Sequence, residues 1–346
     1  MSASPIKDRQ PNEIDNCTFV KTVLMLLVVI YHSCLFTSQG WFPVDNEDSI
    51  ILSVLSDWLN SFHIYTFTFV SGYIFSYIRN EKKGYGNYKE FVIKKIKRLV
   101  VPAISISLLW AGPIAFIFFH YDAQGLINRY ILGVAPNQLW FLWMLFWVFN
   151  ICYLSIERLP LWASGILSIV LYLVGNFGGH FIPNYFQFWT GCQYTIFFWL
   201  GYILRKQKIG TAYLSINPLV WLALDVVLFW GWRCLNESDS ASKVIIFSLN
   251  FCLNVTGALM AFSILQSIAG IIKWWNNRYF GFLSKRTMTV FLLHQQVIFV
   301  AIYLFHGRGS IIMQFCFYIL CSILVPIVLS VVLFKFKSTR FLIGEK

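Results

Sequence analysis

Three histidines and one lysine lie within strongly apolar stretches of the sequence. The stretch "FVKTVLMLLVVIYHSCLF" contains both Lys21 and His32, and His63 and His294 lie in two further stretches of the same kind. A charged side chain at the centre of a membrane helix costs roughly 2.5–3.5 kcal/mol, so such residues are candidates for function. An imidazole can take up and return a proton near neutral pH, which suits general acid–base catalysis. For each histidine alone, a hydrogen-bonded packing role is the alternative.

Lys21 and His32 are separated by a spacing that places them on one side of a helix. Eleven residues at about 100° each amount to roughly three turns plus 20°, and the two residues are then about 16 Å apart along the axis. The spacing predicts that Lys21 holds an anionic group of a ligand at the membrane surface. The rest of that ligand would then reach His32. A lysine that only extends to the lipid headgroups is the alternative.

The composition indicates an integral membrane protein. Of the 346 residues, 58% are hydrophobic and only 12% are charged, whereas soluble domains have about 25% charged residues. The net charge of +12 does not indicate nucleic-acid binding, because the basic residues cluster in short loops between apolar stretches. A metal site is not expected, because carboxylates would normally accompany the histidines and only Asp225 lies at a similar depth.

Ten apolar stretches are long enough to cross a bilayer. The predicted class is therefore an all-α, polytopic membrane protein with about ten transmembrane helices. Setting Lys21 aside, 22 of the 27 Lys and Arg residues fall on one side of the predicted helices, which predicts that both termini are cytoplasmic. The predicted spans are 18–38, 50–78, 99–119, 138–156, 161–177, 187–204, 216–234, 244–268, 287–305 and 311–334.

Six sequence segments resemble the motifs of a known family. The first, "IDNCTFVKTVLMLLVVIYH", ends at His32, and the second, "FHIYTFTFVSGYIF", contains His63, Ser71, Gly72 and Tyr73. The others are "KKIKRLVVP", "LWFLWML", "FFWLGYILRK" and "LSKRTMTVFLLHQ", and the last of these contains His294. Together, and in this order, they resemble the acyltransferase-3 family of membrane acyltransferases. That family usually has Arg at the position of Lys21.

The resemblance implies an acetyl-CoA-dependent O-acetyltransferase of the bacterial cytoplasmic (inner) membrane, with a sugar hydroxyl of a surface polysaccharide or its lipid-linked precursor as acceptor. Acetyl-CoA is the expected acyl donor, and no permanently bound cofactor is expected. Direct transfer with His32 as general base and an acyl-histidine intermediate both remain open. The predicted site residues are His32, His63 and His294 for catalysis, Lys21, Lys95, Lys97 and Arg98 for the donor, and Ser71, Tyr73 and Trp140 for the acceptor.

The expected organisation is a single membrane-embedded acyltransferase domain over residues 1–346. Residues 1–16 and 335–346 are predicted to be cytoplasmic tails, and no periplasmic SGNH hydrolase-like domain is expected. A transporter or flippase of lipid-linked sugars is the rival interpretation, because it too would place polar residues near the centre of the membrane. The six motifs and the lack of a visible inverted repeat favour the transferase.

Overall fold

The predicted all-α membrane class is confirmed by the structure. The computed structural model describes residues 12–38, 49–207, 213, 216–238 and 240–345, and these residues contain helices and no strands. The predicted N-terminal tail, 1–16, lies mostly outside the described residues. Which ends of the helices face the cytoplasm stays a prediction.

Ten long helical segments follow the ten predicted spans within a few residues, except that the third begins earlier. Short helices or turns connect several of them, including Arg278–Ser284 and Lys337–Leu342. The ten segments are α1 (Glu13–Ser38), α2 (Ile50–Ser76), α3 (Tyr88–Phe119), α4 (Trp140–Leu154), α5 (Leu161–Gly178), α6 (Phe188–Lys206), α7 (Pro218–Asn236), α8 (Lys243–Ile271), α9 (Thr287–Phe305) and α10 (Ile311–Leu333).

Within the described residues, eight of these segments are long and apolar enough to cross a membrane, with α4 counted together with its flanking helical turns as Asn137–Arg158. The other two, α2 and α6, are long enough but less apolar. They pack extensively against each other, and α2 also packs against α1 and α8. Because protein surrounds them, they can carry the polar side chains that a lipid-facing helix would exclude.

The third helix differs from the sequence prediction. Residues 79–98 were expected to form a loop, but Tyr88–Phe119 is one continuous helical run. Its first turn is capped by Asn87, whose side chain accepts a hydrogen bond from the Glu90 amide at 2.9 Å. Phe91 is buried one turn later, so the segment packs as an amphipathic helix even though most of its other side chains are charged.

Proline widens α3 at the start of its membrane-spanning part. Pro102 has no N–H with which to bond the carbonyl of Arg98. The helix forms a π turn over Ile96–Val100, and the Val101 amide donates to the Ile96 carbonyl. Such turns often occur at functional sites, and this one lies directly after Lys95.

Residues near the C-terminus pack against this widened part of α3. The Ser105 hydroxyl donates a hydrogen bond to the Leu342 carbonyl, and Ile343 is buried. Part of the predicted tail 335–346 therefore folds against the helix that carries Lys95 and Arg98.

The two polar interior helices cross in backbone contact at two motif glycines. A Cβ atom added to Gly72 of α2 would lie 2.0 Å from the carbonyl oxygen of Phe198 in α6. A Cβ atom added to Gly201 of α6 would lie 2.0 Å from the carbonyl oxygen of Phe69 in α2. Each helix thus needs glycine where the other passes, as is common between membrane helices. This contact fixes α2, which carries His63, against α6.

We expect Gly72→Ala to destabilise the protein by about 1–3 kcal/mol or more, because the new methyl group meets backbone that cannot rotate away. Thermal unfolding in detergent measures the effect. Gly270→Ala is the matched control, since no atom lies within 4 Å of the added Cβ. A Gly72→Ala variant as stable as wild type would contradict the close crossing.

Candidate active site

Two neighbouring cavities lie beside the first and second halves of α1. The first, called here the basic cavity, has a volume of about 430 Å³ and is lined near the start of α1 by Lys21. The second, called here the histidine cavity, has a volume of about 540 Å³ and is lined further along α1 by His32. Helix α1 begins where the Asn12 side chain accepts hydrogen bonds from the amides of Ile14 and Asp15. The same helix therefore positions both candidate residues, one for each cavity.

His32 and His294 are in direct contact. The Nε2 atom of His294 lies 3.1 Å from Nδ1 of His32. The Nδ1 atom of His294 lies 2.8 Å from the carbonyl oxygen of Phe291, and Nδ1 of His32 lies 3.0 Å from the carbonyl oxygen of Val28. The two predicted catalytic histidines thus join α1 to α9.

We assign the proton position of each neutral ring from these contacts. A carbonyl oxygen only accepts hydrogen bonds, so Nδ1 carries the proton in both His32 and His294. The lone pair on Nε2 of His294 then accepts from Nδ1–H of His32. The Nε2 atom of His32 consequently has a lone pair, and it has no hydrogen-bond partner within the described part of the chain. That nitrogen can act as a base in the histidine cavity.

His63 lines the same cavity from α2. Its Nδ1 atom donates to the Leu59 carbonyl at 2.5 Å, which leaves the lone pair of its Nε2 free for other contacts. The ring of Tyr31 lies 4.9 Å from that of His32 and 4.7 Å from that of His63, centroid to centroid. Two of the three predicted histidines, His32 and His63, thus line one cavity, and the third, His294, contacts His32 from behind the cavity wall.

The basic cavity contains three of the four predicted donor cations, Lys21, Lys95 and Arg98. Lys95 is buried, and its Nζ atom lies 3.2 Å from the centroid of the Phe149 ring and 5.0 Å from that of Tyr85. Aromatic faces stabilise a desolvated ammonium group. The fourth, Lys97, is exposed and is not among the residues that line this cavity.

The three predicted acceptor residues lie in three different surroundings. Trp140 lines the histidine cavity, whereas Ser71 lines the basic cavity. Tyr73 lines neither and is fully buried, and its hydroxyl group bonds to Glu13 and, at 3.3 Å, to Arg205. The contacts of Tyr73 are therefore those of a residue that links α1, α2 and α6.

Several polar residues of the histidine cavity escaped the sequence analysis. Gln295 accepts a hydrogen bond from the Gln138 amide at 2.8 Å, and Gln187 donates to the carbonyls of Gly133 and Val134 at 2.8 Å each. Arg129 also lines this cavity. Amide side chains beside motif residues, as in "PNQLW" and "FLLHQQ", could have indicated some of these positions.

The two segments that bear Gln138 and Gln187 hold unusual backbone conformations. Asn137 has φ of 50°, and Phe186 and Gln187 have φ of 49° and 57°. Non-glycine residues in this region are strained, and such strain collects at functional sites. Hydrogen bonds between the two loops, such as Phe186 N–H to the Leu132 carbonyl at 2.9 Å, keep the wall of the cavity in place.

Among the residues that the structure describes, no three His, Cys, Asp or Glu side chains are grouped to hold a metal ion. Asp225 is buried away from both cavities and accepts a hydrogen bond from the Trp58 indole at 2.9 Å. The arrangement around His32 is suited to proton transfer by the histidines themselves.

The family model that matches this sequence is described as an acyltransferase domain of the acyltransferase-3 type, and it covers residues 14–331. The chain belongs to the acyltransferase-3 family. Membership supports a membrane acyltransferase, and it gives no support to the transporter alternative. The match spans the helices of both cavities.

Sequence comparison finds a relative in "Glucans biosynthesis protein C" of Shigella dysenteriae serotype 1 (strain Sd197). It is 26% identical over 155 residues, which is 40% of this chain and 38% of that protein. The aligned part thus covers well under half of the relative. No solved structure matches the chain.

We expect nitrogen-15 NMR of histidine-labelled protein, at mildly alkaline pH, to find both His32 and His294 protonated on Nδ1. The physical reason is the carbonyl contact of each Nδ1 atom. His294→Ala and His32→Ala assign the signals, and His294→Ala should also shift the remaining Nδ1 signal of His32. A proton on Nε2 of His32 would contradict the proposed pairing.

Proposed function

We propose that this protein transfers an acetyl group from acetyl-CoA to a sugar hydroxyl at the histidine cavity. The observation that carries the proposal is the set of contacts that the two ring nitrogens of His32 make. Its Nε2 lone pair is available in one cavity, its Nδ1–H is held by His294 at 3.1 Å, and a cavity lined by three cations lies in line with it along α1.

The basic cavity suits the phosphate groups of coenzyme A. Lys21, Lys95 and Arg98 line it, and no carboxylate is among its lining residues in the described part of the chain. Cations on these walls attract and hold phosphates. From Lys21, the pantetheine arm would extend about 16 Å along α1 to present its thioester to His32.

The transfer step needs a base that takes up a proton from the acceptor and later gives that proton to the leaving group. Nε2 of His32 removes the proton of the acceptor hydroxyl as its oxygen attacks the thioester carbonyl. The new C–O bond forms, the C–S bond breaks, and His32 returns the proton to the thiolate, which leaves as the thiol of CoA. The charge on the imidazolium is stabilised because its Nδ1–H already donates to His294. His294 acts here as a positioning residue.

The histidine cavity has the character of a carbohydrate site. Its lining combines amide side chains with Trp140, Tyr194 and other aromatic rings, so it offers both hydrogen bonds and apolar faces to a sugar. The name of the relative, "Glucans biosynthesis protein C", refers to a glycan product. Both support a glycan acceptor, and the basic loops support a bacterial inner membrane with the basic cavity facing the cytoplasm.

We expect His32→Ala to lower kcat for acetyl transfer by at least about a hundredfold, because general base catalysis is lost. His294→Ala should lower it by about ten- to a hundredfold, since a hydrogen bond to a charged group is worth about 1.5–3 kcal/mol. His294→Gln, whose amide oxygen can accept from Nδ1–H, should retain more activity. Acetyl transfer by purified protein, with each variant checked for monodispersity in detergent, measures this.

His306→Ala is the matched control for these variants, because His306 lies beyond the end of α9 and lines neither cavity. Near-normal turnover by well-folded His32→Ala protein would remove His32 from the mechanism. Equal losses in His294→Ala and His294→Gln would mean that hydrogen-bond acceptance by residue 294 is unimportant.

We expect Lys21→Gln and Arg98→Gln each to weaken acetyl-CoA binding about ten- to a hundredfold, because each removes a charge-assisted hydrogen bond. Lys21→Arg should retain most of the affinity, since the charge is kept. Lys97→Gln is the control, because Lys97 is exposed and lies outside the basic cavity. Isothermal titration calorimetry compares the four variants with wild type, and equal affinities throughout would exclude the basic cavity as the donor site.

A further inference from the structure

The histidine cavity is lined by one Lys or Arg side chain within the described part of the chain, that of Arg129. No Asp or Glu among the described residues lines the cavity with it. Arg129 lies in the connection between α3 and α4, beyond the end of α3 that is remote from Lys95 and Arg98. Its side chain is half-buried, so the cavity presents a positive charge that no described lining group offsets.

Contacts with the protein fix the Arg129 guanidinium and leave one of its edges free. Nη1 donates to the Ala135 carbonyl at 2.9 Å and to Oδ1 of Asn137 at 3.3 Å. The guanidinium carbon lies 4.8 Å from the centroid of the Tyr121 ring. The remaining N–H groups are on Nε and Nη2, and they have no hydrogen-bond partner among the described residues. The structure therefore positions this edge without using it.

Three other half-buried arginines of this protein pair with carboxylates. The pairs are Arg79 with Glu157, Arg205 with Glu13 and Arg233 with Asp57. A charge that is removed from water costs free energy unless an opposite charge and hydrogen bonds compensate it. Arg129 makes no ion pair within the described residues, and its free edge is thus suited to an anion that arrives with a ligand.

We propose that Arg129 binds a negatively charged group of the acceptor, and that the acceptor is therefore an acidic sugar bearing a carboxylate or a phosphate. The inference rests on the proposed function, in which the acceptor occupies the histidine cavity. The Nε and Nη2 edge offers two parallel N–H groups, which match two oxygens of a carboxylate or a phosphate. An acceptor held by this edge has its hydroxyl groups oriented relative to Nε2 of His32.

The anion belongs to the acceptor because the donor has cations of its own. In the proposed function, the phosphates of CoA occupy the basic cavity, which Arg129 does not line. The two cavities adjoin where Phe141 and Phe291 line both, so the donor reaches His32 from that side. The acetyl group that it presents carries no charge.

A series of aromatic contacts along the cavity wall connects Arg129 to His32. Beyond the Tyr121 ring, successive ring centroids are 5.8, 5.0, 4.9 and 5.9 Å apart. The rings, in this order, are those of Tyr121, Phe119, Phe299, Phe36 and His32, and all of them line the cavity. Apolar walls with a few placed polar groups are typical of ligand sites. A sugar against this wall would have its anion at Arg129 and a hydroxyl group at His32.

The test measures binding, with two pairs of sugars that differ in charge. Methyl β-D-glucuronide is compared with methyl β-D-glucoside, and α-D-glucose 1-phosphate with methyl α-D-glucoside. Saturation-transfer NMR titrations in an uncharged, sugar-free detergent give the dissociation constants. We expect wild type to bind at least one charged sugar about ten- to a hundredfold more tightly than its neutral counterpart.

Arg129→Gln should abolish this preference, because the charge and the fork of N–H groups are both lost. Arg129→Lys should keep part of it, since the charge remains without the fork. Arg308→Gln is the matched control and should bind as wild type does, because Arg308 is exposed and lines neither cavity. Each variant is first checked for monodispersity.

Three results overturn the proposal. Equal affinities of wild type for the charged and neutral sugars of both pairs would mean that the cavity does not select an anion. A preference that survives Arg129→Gln would mean that another group binds the anion. An equal loss of affinity for all four sugars in Arg129→Gln would give Arg129 a structural role only.

Transfer assays separate this inference from the proposed function. Acetyl transfer from acetyl-CoA is measured with the glucose 1-phosphate pair, whose members keep the same hydroxyl groups at C2, C3, C4 and C6. Equal kcat/KM for both sugars retains the function and overturns the role of Arg129. A preference in binding that depends on Arg129, without transfer to any sugar, supports the anion site and overturns the proposed function.

A last comparison tests whether the anion comes with the donor instead. Glutaryl-CoA carries a carboxylate at the end of its acyl group, and it is compared with acetyl-CoA on the neutral methyl α-D-glucoside. We expect no advantage of glutaryl-CoA in wild type. An advantage that Arg129→Gln removes would place the anion on the acyl group and overturn its assignment to the acceptor.

Discussion

Polar groups between the helices must find their partners within the protein, because hydrocarbon offers none. Some of these polar groups find a partner within their own helix. The hydroxyls of Ser33 and Thr66 bond to the carbonyl four residues earlier in their own helices, at 2.9 and 2.7 Å. Where a side chain reaches across helices, as Gln138 does to Gln296 at 2.6 Å, the contact fixes one element against another.

The same constraint gives the histidines their chemical character. Each Nδ1 atom is turned towards a carbonyl of its own helix, four residues back for His32 and His63 and three for His294. A ring satisfied in this way presents its other nitrogen to whatever lies beside the helix. For His294 that neighbour is His32, and for His32 it is the cavity. Local helix geometry, together with one contact between helices, thus determines which nitrogen of each ring is left for other partners.

Much of the fold was predictable because a bilayer imposes length and apolarity on each span. The prediction of a loop over residues 79–98 was wrong, because the helix in its second half is amphipathic rather than apolar. The charges of the segment 79–98 concealed that its second half is a helix, and only its buried side chains, such as Phe91, carry the helical pattern. The sequence marks Gly72 as a motif residue, but it does not say which helix passes against it. The contact between α2 and α6 was therefore not predictable from the sequence.

The histidines of the candidate site were predictable, but their arrangement and the amide side chains beside them were not. An imidazole in an apolar stretch is rare enough to be noticed, so His32, His63 and His294 could be named in advance. Their pairing could not, because it depends on how α1 and α9 are rotated against each other. Phe141 and Phe291 lie in two of the motif segments, but the chain contains 34 phenylalanines and the sequence does not say which of them line both cavities.

A wall that serves two cavities has a thermodynamic consequence. Phe291 lines both the basic cavity and the histidine cavity, so a ligand that shifts it on one side changes the surface met by a ligand on the other. Linkage requires this influence to be reciprocal: the factor by which a bound donor alters acceptor affinity equals the factor by which a bound acceptor alters donor affinity. In the proposed function the donor and the acceptor occupy these two cavities, so each dissociation constant would have a defined value only at a stated concentration of the other substrate.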